Sequence, residues 1–364
     1  AAEAVAPPWA RWELDGSPRD RAAEIAGRID ALITIDLPDR EVMDLAFPAF
    51  RAAYGAPLCH LAAERLATVQ RGQIVVIATG FPNRVRVDPD IAESDGPVGA
   101  AVLARAVHLG LGAVPLILIE APLVAPMARI LHACGLRALS LEAAKRCSSL
   151  NATMHGACVI PLPVDLGEAE AQALALMAEH DIGAFISIEK TAANPAGELC
   201  YSRGGIGTPH VGKTDPLVAL CRARAVTTIG IGDGGNELGM GNAGGILRSL
   251  LTFGDASYNG GIVPAQETDF VVPTTVSNWG GYGLAAALAA RLGQPDILHD
   301  EATERRMLLA ASLEGLIDGV TGATLPTSDG LSEEIHAAVV TMLRALIGLG
   351  IPDNDWPGST PARG

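Results

Sequence analysis

The chain of 364 residues carries 26 Lys and Arg against 41 Asp and Glu, a net charge of −15. That balance argues against a nucleic-acid-binding surface, which needs clustered cations to neutralise phosphates. Hydrophobic residues make up 49% of the chain and aromatics only 4%, a composition suited to a large aliphatic core of helices packed on sheet.

No run of 18 uncharged apolar residues occurs, and no basic segment leads into an apolar one. Neither a membrane span nor a signal peptide is therefore expected. The six cysteines form no C-x-x-C pair and read as reduced core residues of a cytoplasmic protein.

In chain order, residues 1–18 are rich in Ala, Pro and Trp and read as an arm, and 19–37 has apolar residues at helical spacing. A second helical region, 42–70, should break near Gly55-Ala-Pro57, because proline cannot continue a helix. From Ile74 the pattern alternates. Strands are predicted at 74–79, 114–119, 136–140, 157–162, 184–188, 227–232 and 269–274. Helices are predicted near 98–111, 122–134, 168–180, 214–224, 236–251, 280–292, 300–318 and 329–348.

This alternation predicts an α/β fold: a doubly wound, mostly parallel sheet with helices on both faces. Residues 19–350 read as a single domain, with a Pro/Gly-rich tail over 351–364. A homo-oligomer is compatible with this reading.

The stretch Thr227-Thr-Ile-Gly-Ile-Gly-Asp-Gly-Gly-Asn-Glu-Leu-Gly-Met-Gly241 reads as strand, glycine turn and helix opening at Asn236 or Glu237. It places Asp233, Asn236 and Glu237 at the carboxyl end of a strand, where open α/β sheets bind ligands. Gly230-x-Gly232-x-x-Gly235 matches the dinucleotide fingerprint formally. Asp233, however, would sit where a pyrophosphate should lie.

Further polar groups follow other strands: Thr79-Gly80, then Asp95 within Glu93-Ser-Asp-Gly-Pro97, and Glu189-Lys190 ahead of Asn194, Gly197 and Tyr201. Ser277 and Asn278 follow the last strand. Glu189 and Lys190 cannot simply pair, because neighbours on a strand face opposite ways. Asp95 could cap the helix that follows it, and so could Ser277 or Asn278. The eight histidines are scattered, with no H-x-x-x-H or H-E-x-x-H, and neither G-x-S-x-G nor a P-loop occurs. Zinc catalysis, a hydrolase triad and a P-loop are thereby disfavoured.

Four blocks in order, Glu93-Ser-Asp-Gly-Pro-Val-Gly-Ala100, Ser187-Ile-Glu-Lys190 with Asn194, Gly197 and Tyr201, Gly230 to Gly241, and Val276-Ser-Asn-Trp-Gly-Gly-Tyr282, resemble the D-glutamate cyclase domain. The resemblance spans about Asp30 to Gly350, with Ser94 and Lys190 departing from the expected threonine and arginine. It implies a hydro-lyase that removes water from D-glutamate to give 5-oxo-D-proline, and a bacterial cytosolic setting.

Such a cyclisation needs a neutral amine, a place for the developing oxyanion and a proton for departing hydroxide. Glu189 or Asp233 would serve as base and Asp95 or Glu237 as acid. Gly234, Gly235 and Asn236 would donate to the oxyanion or α-carboxylate, Ser277 and Asn278 would close the other side, and Lys190 and Gly80 complete the substrate-binding set. No cofactor is required; an ion, if used, would be Mg²⁺ or Mn²⁺ on the oxygen-only set Asp95, Asp233 and Glu237. The expected partner is a small amino acid, with neither nucleic acid nor membrane. A nicotinamide-dependent oxidoreductase and a non-catalytic acidic amino-acid-binding protein are the alternatives.

Overall fold

The computed structural model describes residues 20–149 and 154–348; the expected arm over 1–18 and tail over 351–364 lie outside the described residues. Three helices, α1 (Arg21–Ile33), α2 (Val42–Tyr54) and α3 (Leu58–Leu66), precede the first strand, β1 (Ile74–Ala78). The break between α2 and α3 falls at Gly55, in the left-handed region at φ 68°. Then follow α4 (Pro97–Leu111), β2 (Val114–Ile119), α5 (Val124–Ala133), β3 (Arg137–Leu139), α6 (Leu141–Ser149), β4 (Gly156–Pro161), α7 (Leu166–Glu179) and β5 (Ile182–Ile188). The chain continues through α8 (Asp215–Ala223), β6 (Thr227–Gly232), α9 (Gly244–Leu250), β7 (Phe270–Pro273), α10 (Ser277–Leu292), α11 (Glu301–Leu313) and α12 (Glu333–Gly348).

The seven strands form one sheet in the order β3-β4-β2-β1-β5-β6-β7, with every pair parallel. The fold is therefore α/β, with the parallel sheet expected from the sequence. Alternate residues of the strands feed two cores. Val75, Ile77, Ile186, Ile188 and Ile231 face the apolar sides of α1, α3, α4, α5, α10, α11 and α12. Val76, Ala78, Leu116, Leu118 and Phe185 face α6, α7 and α8. A third cluster joins Met43, Ala46 and Phe50 of α2 to Met240, Leu247 and Val263. Strands buried on both faces are apolar almost throughout, as the near-continuous Val, Ile, Leu and Ala of β1 and β2 show.

The direction of winding reverses at β1. β2 lies on one side of β1 and β5 on the other, so the carboxyl ends of β1 and β5 flank the topological switch point where such sheets bind ligands.

Two elements differ from expectation. The sequence predicts no helix between β3 and β4, yet α6 forms there from a largely polar segment that buries Ala144 and Cys147. The helix expected over 236–251 is absent as such: a 3₁₀ turn, Met240–Ala243, leads into the short α9.

The glycines of this stretch serve a fold-back of the chain over β6. A Cβ on Gly230 would lie 2.2 Å from the Leu238 carbonyl oxygen, and one on Gly239 would lie 2.9 Å from the Gly230 Cα. Leu238 N donates to Lys190 O at 2.9 Å, and Thr191 bridges Glu237 as a short antiparallel pair. No helix follows the Gly230-x-Gly232-x-x-Gly235 turn directly, so the geometry of a dinucleotide fingerprint is not formed. All six cysteines are buried and free. Among the described residues no helix is long and apolar enough to cross a membrane.

Candidate active site

The loops after β1, β5, β6 and β7 meet at the carboxyl edge of the sheet. β5 ends at Ile188, and Glu189 then takes a left-handed conformation, φ 45°, which costs a residue other than glycine free energy and turns it out of strand register. Its Oε2 accepts a 2.6 Å hydrogen bond from Ser277 Oγ. Lys190 goes the other way. It is fully buried, donates to the Gly80 carbonyl oxygen at 2.8 Å and pairs with Glu120, tying the ends of β5, β1 and β2 together behind the site. Lys190 and Gly80 are absent from the lining of the main cavity; the positive potential expected from Lys190 does not face it.

Asp95 and Asn278 exchange helix caps. Both Asp95 oxygens accept backbone N–H groups of the first turn of α10, Oδ2 from Ser277 at 2.9 Å and Oδ1 from Asn278 at 2.7 Å. Asn278 Oδ1 in turn accepts from Gly96 N and Gly99 N at the start of α4, at 3.0 and 2.7 Å. Each residue thus satisfies the orphan donors of the other's helix, not of its own as the local sequence would suggest. The two helices come this close because Gly99 has no side chain: a Cβ there would lie 2.6 Å from Ile188 Cδ1 and 2.9 Å from Asn278 Cα.

The turn after β6 holds Asp233 and Glu237. Glu237 accepts from Gly234 N and Gly235 N, both at 2.9 Å. The two amides expected to donate to an oxyanion are therefore occupied by a carboxylate from their own turn. Asn236 is likewise engaged, its Nδ2 donating to the Cys200 carbonyl oxygen at 3.0 Å.

Three residues that the sequence reading passed over complete the floor. Arg40, between α1 and α2, donates through one nitrogen to Asp233 Oδ2 at 2.8 Å and Asp329 Oδ2 at 3.2 Å, and also to the Thr275 carbonyl oxygen. Asp329 lies between α11 and α12 with φ 53°. Glu93 Oε2 accepts from Asn83 Nδ2 at 2.7 Å. The signals for them were slight. Glu93 stood inside a motif block with no role attached, and Asp329-Gly330 is an ordinary turn pair. Arg40 is 193 residues from Asp233.

Candidate ligand atoms of Asp95, Asp233 and Asp329 lie within 4.8 Å of one another, as do those of Glu189, Asp233 and Glu237. Asp95, Glu189 and Asp233 thus converge on the scale of one small ligand. The trio Asp95, Asp233 and Glu237 is divided between the two groups, with Asp233 common to both. Both groups offer only carboxylate oxygens, which suits Mg²⁺ or Mn²⁺ and not zinc. The cavity above them encloses about 540 Å³ and is lined by Glu93, Glu189, Asp233, Glu237, Asp329 and Arg40, with further residues at the rim. Asp95, Ser277 and Asn278 stand behind this lining and hold it.

Crowding acids away from water disfavours their charged forms. Burial, reinforced by neighbouring carboxylates, pushes Asp95 up to about 7, and Glu93 and Glu237 up to about 8. Burial and then the Asp233 charge hold Glu189 well above the ordinary carboxylate range. Burial and Asp95 do the same for Asp329. For Arg40 burial acts downward, but Asp233 and Asp329 outweigh it and the guanidinium lies above its ordinary value.

Carboxyls raised on folding bind more protons folded than unfolded, so the stability they lend is complete below about pH 4 and is lost as pH rises through their folded values of about 7 to 8. Between pH 5 and pH 8 the melting temperature is expected to fall by about 5 °C or more. Glu93→Gln should flatten that slope; a melting temperature that rises over this interval would contradict the assignment.

A profile of the family described as "D-glutamate cyclase-like, C-terminal" matches residues 29–344. The chain belongs to this family. The chain is also similar to a human protein, "D-glutamate cyclase, mitochondrial", at 28% identity over 233 residues. That alignment covers 61% of this chain and 33% of the relative, so the chain spans about one third of the length of the curated protein it matches. In this D-glutamate cyclase-like chain the matched region contains every acid of the floor, together with Arg40.

Proposed function

We propose that the cavity cyclises free D-glutamate to 5-oxo-D-proline with loss of water. One observation carries this reading: buried carboxyls with raised proton affinity stand within a few ångströms of a carboxylate paired to a guanidinium, in the cavity of a D-glutamate cyclase-like chain. The reaction needs a proton acceptor and a proton donor side by side at similar pH, and crowded acids of unequal environment provide both.

Asp233, with Arg40 as its partner, takes a proton from the substrate ammonium. The freed amine attacks the γ-carboxyl carbon, forming the ring N–C bond. Glu189, whose proton affinity burial and the Asp233 charge raise, gives its proton to the γ-carboxyl, and the C–O bond breaks as the oxygen leaves as water. The second proton of the ring nitrogen passes to Glu189 and the proton held by Asp233 goes to the departing oxygen, so the nitrogen loses two hydrogens, the oxygen gains two, and both acids end as they began. This assignment departs from the sequence expectation of Glu189 as a base and of Asp95 or Glu237 as the acid: Asp95 is behind the lining, and both Glu237 oxygens hold the turn amides. Holding amine and carboxyl in contact supplies several kcal/mol of the barrier.

A divalent ion, when bound, would be held by Glu189, Asp233 and Glu237 or by Asp95, Asp233 and Asp329, and would supply charge neutralisation for the γ-carboxylate.

The test is product analysis after incubation with D- and L-glutamate, with chelator and with added Mg²⁺ or Mn²⁺. The lactam is expected from the D-enantiomer. Aspartate should be inert, since it would need a strained four-membered ring, and glutamine should react poorly if the acids are tuned to protonate departing hydroxide. Absence of lactam from both enantiomers under every condition, with folded protein, would overturn the reading.

A further inference from the structure

Glutamate brings two carboxylates to a floor that already holds Glu93, Glu189, Asp233, Glu237 and Asp329. An anion enters such a cavity only if a cation meets it. The γ-carboxyl is neutralised in the reaction, but the α-carboxylate stays ionised throughout and needs a partner of its own.

Four cationic side chains line the cavity: Arg40, Arg84, Arg86 and Arg203. Arg40 is engaged by Asp233, Asp329 and the Thr275 carbonyl oxygen. Arg84 donates to Asn83 Oδ1 at 2.7 Å and to the Gly319 and Val320 carbonyl oxygens at 3.0 and 3.5 Å. Arg86 and Arg203 are exposed at the rim, and among the described residues neither guanidinium makes a hydrogen bond or ion pair.

They stand on neighbouring loops. Arg86 follows β1 and Arg203 follows β5, and Phe81 and Tyr201 join the roots of these loops edge to face, ring centroids 5.2 Å apart at 89°. Two arginines without a side-chain partner among the described residues thus line the same cavity as the acidic floor, in a chain of net charge −15. We infer that Arg86 and Arg203 clamp the substrate's α-carboxylate, so that the cavity takes α-amino acids by their free carboxylate and directs the amine and the far carboxyl to the floor. The inference rests on the cyclisation reading for the orientation of the substrate. A guanidinium suits the task because its planar fork matches a carboxylate.

The experiment is calorimetric binding of D-glutamate and of D-isoglutamine, which carries a neutral carboxamide in place of the α-carboxylate, to the wild-type protein and to the variant Arg86→Gln/Arg203→Gln. The wild type is expected to bind D-glutamate about 10- to 100-fold more tightly than D-isoglutamine, the range of charge-assisted hydrogen bonds. The double variant should lose that preference through weaker binding of D-glutamate alone. Affinity of the wild type for D-glutamate should also fall with ionic strength.

No preference in the wild type, an unchanged preference in the variant, or an equal loss for both ligands would overturn the clamp, as would no binding of D-glutamate at all. Binding does not require turnover, so a clamp that behaves as expected beside an absent lactam would sink the cyclisation reading alone.

Discussion

Asp233→Asn is expected to lower turnover of D-glutamate by about 10²-fold or more, the loss usual for a positioned proton acceptor. The melting temperature should stay at or above that of the wild type. Asparagine keeps an oxygen for the 2.8 Å contact from Arg40 and removes one charge from a crowded set of acids, so folding is not penalised. Glu189→Gln should behave similarly, since an amide can still accept from Ser277 Oγ but cannot deliver a proton. Steady-state kinetics and thermal melts on both variants decide between roles. A fall in melting temperature with turnover preserved in the folded fraction would make both residues structural.

Arg40→Gln should act in the opposite sense, on stability first. It leaves Asp233 and Asp329 facing each other without the cation that joins them at 2.8 and 3.2 Å. Breaking a buried pair from one side costs about 3–5 kcal/mol. The Arg40 side chain is 29% exposed, so water offsets part of this and a loss of about 2–4 kcal/mol is expected. The loss should shrink at pH 5, where the surrounding carboxyls bind protons, and adding Asp329→Asn should restore part of it by removing one of the repelling charges. Melting curves at pH 5 and pH 8 read both effects. An equal loss at the two pH values would show that Arg40 acts by packing and not by charge.

The sheet was legible in the sequence because its signals are local. The short apolar runs of β1 and β2, alternating with helical segments, read as strands buried on both faces, and Asp233 in a glycine turn after β6 marked the edge where the site lies. The convergence of Asp95, Glu189 and Asp233 followed from placing each one after a strand.

What escaped depends on contacts across the chain. Nothing near Arg40 says that it will lie against Asp233 and Asp329, and nothing near Asp95 or Asn278 says that each caps the other's helix. The turn of Lys190 away from the cavity, into the interior, depends on Glu120, a residue 70 positions away. The missing helix at Asn236 has a different cause: Gly230 and Gly239 allow the chain to fold back over β6, and Glu237 takes the amides that a helix start or an oxyanion would have used.

The most direct measurement of the central claim follows oxygen. D-Glutamate labelled with ¹⁸O at both γ-carboxyl oxygens is incubated with the folded protein, and the product is analysed by mass spectrometry beside an Asp233→Asn control. Dehydrative ring closure predicts 5-oxoproline that retains one of the two labels, the other appearing in water, and formed at a rate that falls about 10²-fold or more in the variant. No lactam above the uncatalysed background, or lactam formed equally fast by Asp233→Asn, would contradict the account.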